Sequence, residues 1–265
     1  DVIDRKVFAD IDTVGELQSL LDAVIAVMNA ANGVNGLTIA QLEKLGITGV
    51  TTDNQAVVLR ALAQTADDGS DVDRLDDLQS LVTRTVNTAD AALQVIQNYA
   101  QGNADASQSL GTAPSLQDYV DVGIQGVSAD NLASINTALA TSAVNAARVG
   151  SISDVQSVVN AYLQVFAAAD GLDNITTASN MRTAYASLGI QGVDSDVEYS
   201  LLGDVIDVKN SVDVNTTVKL QNLANAVDAV VRAAAGDAER HAGIGGDADR
   251  QPVSQRRARR ARRSS

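Results

Sequence analysis

Leu45-Gly46-Ile47-Thr48-Gly49-Val50-Thr51-Thr52-Asp53-Asn54 returns twice further along the chain. It reappears as Val122-Gly-Ile-Gln-Gly-Val-Ser-Ala-Asp-Asn131 and as Leu188-Gly-Ile-Gln-Gly-Val-Asp-Ser-Asp-Val197. Each copy follows an apolar run of helical spacing and precedes another, so each reads as a corner between two helices. Gly46, Gly123 and Gly189 stand where a left-handed residue closes a helix and satisfies its last carbonyls. Ile47, Ile124 and Ile190 follow at the place of the apolar contact that accompanies such an end. The second glycines, Gly49, Gly126 and Gly192, permit a tight reversal. Thr51, Ser128 and Asp194 are expected N-caps of the outgoing helix. Asp53, Asp130 and Asp196 are expected in its first turn, where a negative charge suits the helix dipole. A phosphate cradle is the competing reading of these glycines. It lacks both the G-x-x-x-x-G-K-[ST] pattern and a preceding strand.

A second element also recurs. Ile11-Asp12-x-Val14-x-x-Leu17-Gln18-Ser19-Leu20 matches Val72-Asp73-x-Leu75-x-x-Leu78-Gln79-Ser80-Leu81. Weaker copies run from Val149 to Val158, with the pair Val155-Gln156, and from Val214 to Leu223, with Leu220-Gln221. The apolar spacing of three and four is that of an amphipathic helix, with Asp12, Asp73 and Asn215 where a cap belongs. The Leu-Gln marker steps by 61, 77 and 65 residues, and the corner glycine by 77 and 66. Two markers with consistent periods indicate an internal repeat longer than the usual solenoid unit.

The pattern predicts long helices over 14–31, 75–100, 152–169 and 217–235, each followed by a loop, a short helix, a corner and a third helix. The third helices are expected over 52–65, 129–143 and 195–210. Three helices with one apolar face each can close a small bundle. The expected fold is therefore all-α: tandem three-helix-bundle-like repeats with a disordered C-terminal tail. The expected divisions are residues 1–70, 71–148 and 149–212 for three repeats, 213–235 for a partial repeat or capping helix, and 236–265 for an Arg-rich tail. The loop 101–115 accounts for the longer second period and reads as an insertion.

Composition narrows the chemistry. Of 265 residues, 45% are apolar but only 3% aromatic, which suits small modules with aliphatic cores. There is no cysteine, so disulfides, thiolate metal sites and a cysteine nucleophile are excluded. The single histidine, His241, falls in the expected tail, which leaves no Ser-His-Asp triad in the folded part. No run of 18 uninterrupted apolar residues marks a membrane span. The chain starts at Asp1 without an initiator methionine, as a fragment or processed product would. Net charge is −14, yet seven arginines lie in residues 250–265, leaving 12 basic against 33 acidic residues, or −21, over residues 1–249. Such a body repels nucleic acid and anionic membranes, and only the tail's arginines offer a nucleic-acid contact.

Most carboxylates sit at helix starts and in loops, as solvated caps do. The densest acidic stretch, Asp67-Asp68-Gly69-Ser70-Asp71-Val72-Asp73, gives Asp67, Asp68, Asp71 and Asp73 as calcium candidates. It lacks the D-x-[DN]-x-[DN]-G loop and its distal bidentate Glu. No other cofactor and no catalytic residue is expected. The residues of interest are the repeat corners: Gly46, Ile47, Gly49, Gly123, Ile124, Gly126, Gly189, Ile190 and Gly192.

With the repeat spelled out, the chain resembles the Ala/Val/Thr/Asp-rich tandem repeats of very large bacterial surface proteins, adhesin-like and exported by type I secretion. Leu37-Thr38, the corner Leu45–Asn54, Ala63, Thr65-Ala66-Asp67-Asp68-Gly69-Ser70 and Val72-Asp73 with Leu78-Gln79-Ser80-Leu81 carry the resemblance, which covers residues 11–235. It implies an extracellular or cell-surface spacer or adhesion module without catalysis, whose main partners are neighbouring repeats of the same chain. The alternative is a helical module that captures a host or matrix protein or a surface ligand. The repeats here have diverged from one another, and residues 236–265 lack the β-roll secretion signal of such proteins.

Overall fold

Four long helices close their first backbone bond at the same place in the repeated pattern. In α1 (Val14–Ala31) the Thr13 hydroxyl accepts from Glu16 N while Glu16 reaches back to Thr13 N, which is a capping box. α7 (Ile152–Ala168) repeats this with Ser151 and Asp154. The first i→i+4 bonds run from Leu17 to Thr13, Leu78 to Arg74, Val155 to Ser151 and Leu220 to Thr216. The caps thus fall one residue after the expected Asp12, Asp73 and Asn215. The hydroxyls of Thr13, Ser151 and Thr216, one position on, bond the third backbone N–H of their helices.

The computed structural model describes residues 2–7, 11–65, 71–104, 111–141, 144–172 and 178–247. The other two long helices are α4 (Leu75–Ala104) and α10 (Thr217–Asp247), and between the long helices come α2 (Ile39–Leu45), α3 (Gln55–Leu62), α5 (Leu116–Asp121), α6 (Leu132–Leu139), α8 (Ala178–Ser187) and α9 (Asp196–Asp207). The fold is all-helical, with no strand among the described residues. Short 3-10 turns at Ile3–Arg5, Ala146–Val149 and Ser211–Asp213 complete it.

The long helices α4 and α10 run past their expected ends, and the third helices are shorter than expected: α3, α6 and α9 cover Gln55–Leu62, Leu132–Leu139 and Asp196–Asp207 against 52–65, 129–143 and 195–210. α4 continues through residues 101–104, taking the start of the expected 101–115 loop; Gln101 Oε1 accepts from Ala146 N at 3.2 Å and so serves the fold there. α10 continues through Gly236 to Asp247, so the expected tail begins as helix. Ala238, Glu239, Arg240 and Ala242 are helix formers, but Gly236, Gly243, Gly245 and Gly246 each cost a helix about 1 kcal/mol, so propensity does not account for the continuation. Residues 248–265, with the arginine run, lie outside the described residues.

The apolar residues form two clusters. The first joins Leu20, Ala23 and Val27 of α1 with Leu42, Leu45, Val58 and Leu62 of α2 and α3, and with Leu75, Leu78 and Val82 of α4. The second starts from Ala92, Ile96 and Ala100 of α4 and continues through α5 to α10. One expected core per unit is therefore not what forms between α5 and α10. α7 buries Val155, Val158, Val159, Ala161, Tyr162 and Val165, all in this one cluster. α1 is the described helix long and apolar enough to cross a membrane by length and composition. In the fold its Leu20, Ala23, Val27, Ala30 and Ala31 are buried.

Candidate functional site: three glycine corners

At each corner the first glycine ends a helix in the left-handed region: φ is +84° at Gly46, +81° at Gly123 and +71° at Gly189. Gly46 N donates to Glu43 O at 2.9 Å, and Ile47 N donates to Leu42 O at 3.0 Å. These two bonds define a Schellman end. Gly123 with Val120, and Ile124 with Tyr119, repeat it at 3.0 and 2.9 Å. Gly189 with Ala186, and Ile190 with Tyr185, repeat it again at 3.2 and 2.9 Å. Ile47 and Ile124 are buried and Ile190 is half-buried. The second glycines also have positive φ: +91° at Gly49, +85° at Gly126 and +77° at Gly192.

Between each isoleucine and the second glycine lies one residue: Thr48, Gln125 or Gln191. A glutamine of the next long helix takes both its backbone N–H and its C=O. Thr48 N donates to Gln79 Oε1 at 2.9 Å, and Gln79 Nε2 donates to Thr48 O at 3.1 Å. Gln125 and Gln156 repeat the pair at 2.8 and 3.1 Å. Gln191 and Gln221 repeat it at 3.0 and 2.9 Å. A carboxamide suits this, because its oxygen accepts while its nitrogen donates two hydrogens. The second hydrogen goes to the residue four positions on: Thr83, Asn160 or Asn225. The two sequence markers are thus two halves of one contact.

The start of the outgoing helix differs from expectation. Thr51 and Ser128 stand one turn ahead of α3 and α6, whose N-caps are Asn54 and Asn131. Asn54 Oδ1 accepts from Thr51 N at 2.8 Å and its Nδ2 donates to Gly49 O at 3.0 Å. Asn131 does the same with Ser128 and Gly126. In the third corner the aligned residue is Val197, which cannot do this. Glu198 replaces it, accepting from Asp194 N at 3.0 Å and Ser195 N at 2.9 Å, and Ser195 rather than Asp194 is the cap. These backbone N–H bonds, with the Ser195 hydroxyl, lower the Glu198 carboxyl to about 2.

Asp53 does not serve its own helix. Its carboxylate accepts from Ile152 N at 2.9 Å and Ser153 N at 3.2 Å, at the start of α7. Anions favour helix N-termini, so this bond ties the first corner to a helix about one hundred residues away. The Arg60 guanidinium donates to Val120 O, the backbone just ahead of the second corner. Arg148 donates to Ala186 O at 3.1 Å, just ahead of the third. Thr217 donates through its hydroxyl to Thr137 O at 2.9 Å. Arg182 pairs with Asp196 and lies 4.4 Å from the centroid of the Tyr199 ring.

A cleft of about 580 Å³ opens beside the third corner, lined by Thr141, Gly189, Gln191, Thr217, Gln221 and Asn225 among others. Its described lining holds no ionisable side chain. Burial raises the Tyr119 and Tyr185 hydroxyls above their ordinary range and keeps them neutral. Of the calcium candidates, Asp67 and Asp68 lie outside the described residues, while Asp71 and Asp73 are exposed. Among the described residues no group of three or more His, Cys, Asp or Glu side chains gathers for a metal. Asp76, nearby, instead pairs with Arg5 at 2.8 Å, and this lowers its carboxyl. Sequence reading found both glutamines and corners but not their contact. The signal was there: corner and glutamine stand 31, 31 and 30 residues apart, although the overall periods vary.

No family model, no curated protein and no solved structure matches the chain.

Proposed function

We propose that this chain is a non-catalytic structural array, a spacer or adhesion repeat module displayed outside a bacterial cell as part of a larger surface protein. Each unit comprises a long helix, a short helix, a glycine corner and a third helix. The observation that carries this reading is the threefold glutamine contact, which joins each corner to the long helix that follows it. Repeat proteins gain length by stacking such nearest-neighbour contacts. The polar side chains that recur with the repeat, the glutamines and the corner asparagines, are spent on backbone groups. The acidic body suits an exposed, soluble stalk. The surface location rests on the resemblance to bacterial surface repeats.

Location is tested directly on the producing cell. An antibody raised against residues 11–235 should label intact cells, and brief external protease treatment should remove the label. Label found only after the cells are opened would contradict the surface reading.

A further inference from the structure

The covered faces of three long helices identify what belongs on the fourth. Leu75, Leu78 and Val82 of α4 are 6%, 2% and 0% exposed, because the first corner and its helices lie against them. The matching residues of α7, Val155 and Val159, are fully buried, as are Leu220 and Ala224 of α10. In α1 the matching residues are Val14, Leu17 and Leu21, and they are 84%, 42% and 52% exposed. Ile25 and Met28 extend the same open strip. The core of the first cluster uses a different side of α1, that of Leu20, Ala23 and Val27.

Gln18 stands at the centre of this strip. Its Nε2 donates to Asp22 Oδ1 at 2.8 Å, the same i,i+4 bond that orients Gln79, Gln156 and Gln221. Among the described residues, no corner lies opposite Gln18. A side chain held in this orientation beside open Leu17 and Leu21 has both halves of the contact made elsewhere: a carboxamide for one backbone N–H and C=O, and an apolar bed for two helices.

We propose that this α1 face seats the Leu-Gly-Ile-x-Gly corner of a further unit of the same kind, stacked ahead of α1 and clamped by Gln18. The proposal rests on the array reading above. It continues an interface that the chain makes three times. A second copy of this chain is a poor occupant, since its three corners are already held by Gln79, Gln156 and Gln221. A bilayer is a poor one too, because the Gln18–Asp22 pair would carry a carboxylate into hydrocarbon.

The chain has no cysteine, so one introduced thiol reports exposure cleanly. An extended chain of residues 1–74 followed by residues 14–265 places a copy of Thr48 31 residues ahead of the second Gln18, the spacing of Thr48 and Gln79. With Leu21→Cys in that second α1, thiol labelling should be at least about tenfold slower than with Leu21→Cys in the natural chain, and Gln18→Ala should restore much of the rate. Equal rates would overturn the proposal. So would slowing in the natural chain that grows with protein concentration, or that appears with phosphatidylglycerol vesicles. Amide exchange at Gln125, held by Gln156, separates the two levels: equal labelling with a protected Gln125 amide defeats only the docking, and an unprotected one defeats the array as well. A graft needs no added unit. Leu75→Val, Val82→Leu and Thr83→Asp give α4 the face of α1, and the Thr48 amide should keep its protection within about threefold. Its loss would show that the α1 face cannot seat a corner.

Discussion

Gln79 holds both polar backbone groups of Thr48, accepting from its N–H at 2.9 Å and donating to its C=O at 3.1 Å. Gln156 and Gln221 hold Gln125 and Gln191 in the same way. Each glutamine ties a reversal made by glycines to the helix that follows 30 or 31 residues later. Replacing Gln79, Gln156 or Gln221 by Ala removes its two bonds to the corner backbone and the third to the residue four positions on, at an exposed site where water can replace them. Each variant should lose about 1–2 kcal/mol in denaturant unfolding.

The second glycines should differ in their tolerance of a side chain. Gly49 and Gly126 share a left-handed φ, so Ala at either costs about 1–2 kcal/mol in backbone strain. A Cβ at Gly49 meets nothing within 4 Å, whereas one at Gly126 would stand 2.5 Å from Leu163 Cδ1. Gly126→Ala should therefore melt lower than Gly49→Ala. Adding Leu163→Ala should shrink that gap, and additive losses in the double variant would refute the clash.

Two buried tyrosines make opposite predictions. Tyr119 donates to Asn136 Oδ1 at 2.7 Å, and Asn136 Nδ2 donates to Pro114 O at 2.9 Å, all within the core. Tyr119→Phe leaves a buried acceptor short and should cost about 1–2 kcal/mol. The Tyr185 hydroxyl is buried without a hydrogen-bond partner among the described residues. Tyr185→Phe should be neutral or stabilising by about 1 kcal/mol, read as the shift in denaturation midpoint.

Acid should act on the third corner. The Glu198 carboxyl titrates near 2 in the fold, below its ordinary value of 4.5, because it accepts from the N–H groups of Asp194 and Ser195 and from the Ser195 hydroxyl. A depressed folded value means that the unfolded chain binds the proton first as pH falls. The stabilisation is thus fully present above about pH 4.5 and is lost between there and about pH 2. Glu198→Gln should flatten that part of the stability profile. An unchanged profile would place the acid sensitivity elsewhere.

The helices were legible because their signals are local. Apolar spacing of three and four marks them, and α1 keeps its expected ends at Val14 and Ala31. The caps fell one residue late because Asp12, Asp73 and Asn215 are good caps by type, but the first backbone bond closes on the residue after each. Contacts at long range were not legible. Nothing near Asp53 announces that it accepts from the first two N–H groups of α7, and nothing local announces that residues of α4 to α10 join one cluster. The continuation of α10 past Gly236 was not legible, because apolar periodicity fades there and Gly236, Gly243, Gly245 and Gly246 weigh against helix.

The corner-to-glutamine contact is tested most directly by amide hydrogen exchange at Thr48, Gln125 and Gln191 in the natural chain and in the three Gln→Ala variants. The account predicts three slow amides in the natural chain. Gln79→Ala should speed only Thr48, Gln156→Ala only Gln125, and Gln221→Ala only Gln191, each by about tenfold. Three amides that exchange freely in the natural chain, or that stay slow without their glutamines, would contradict it.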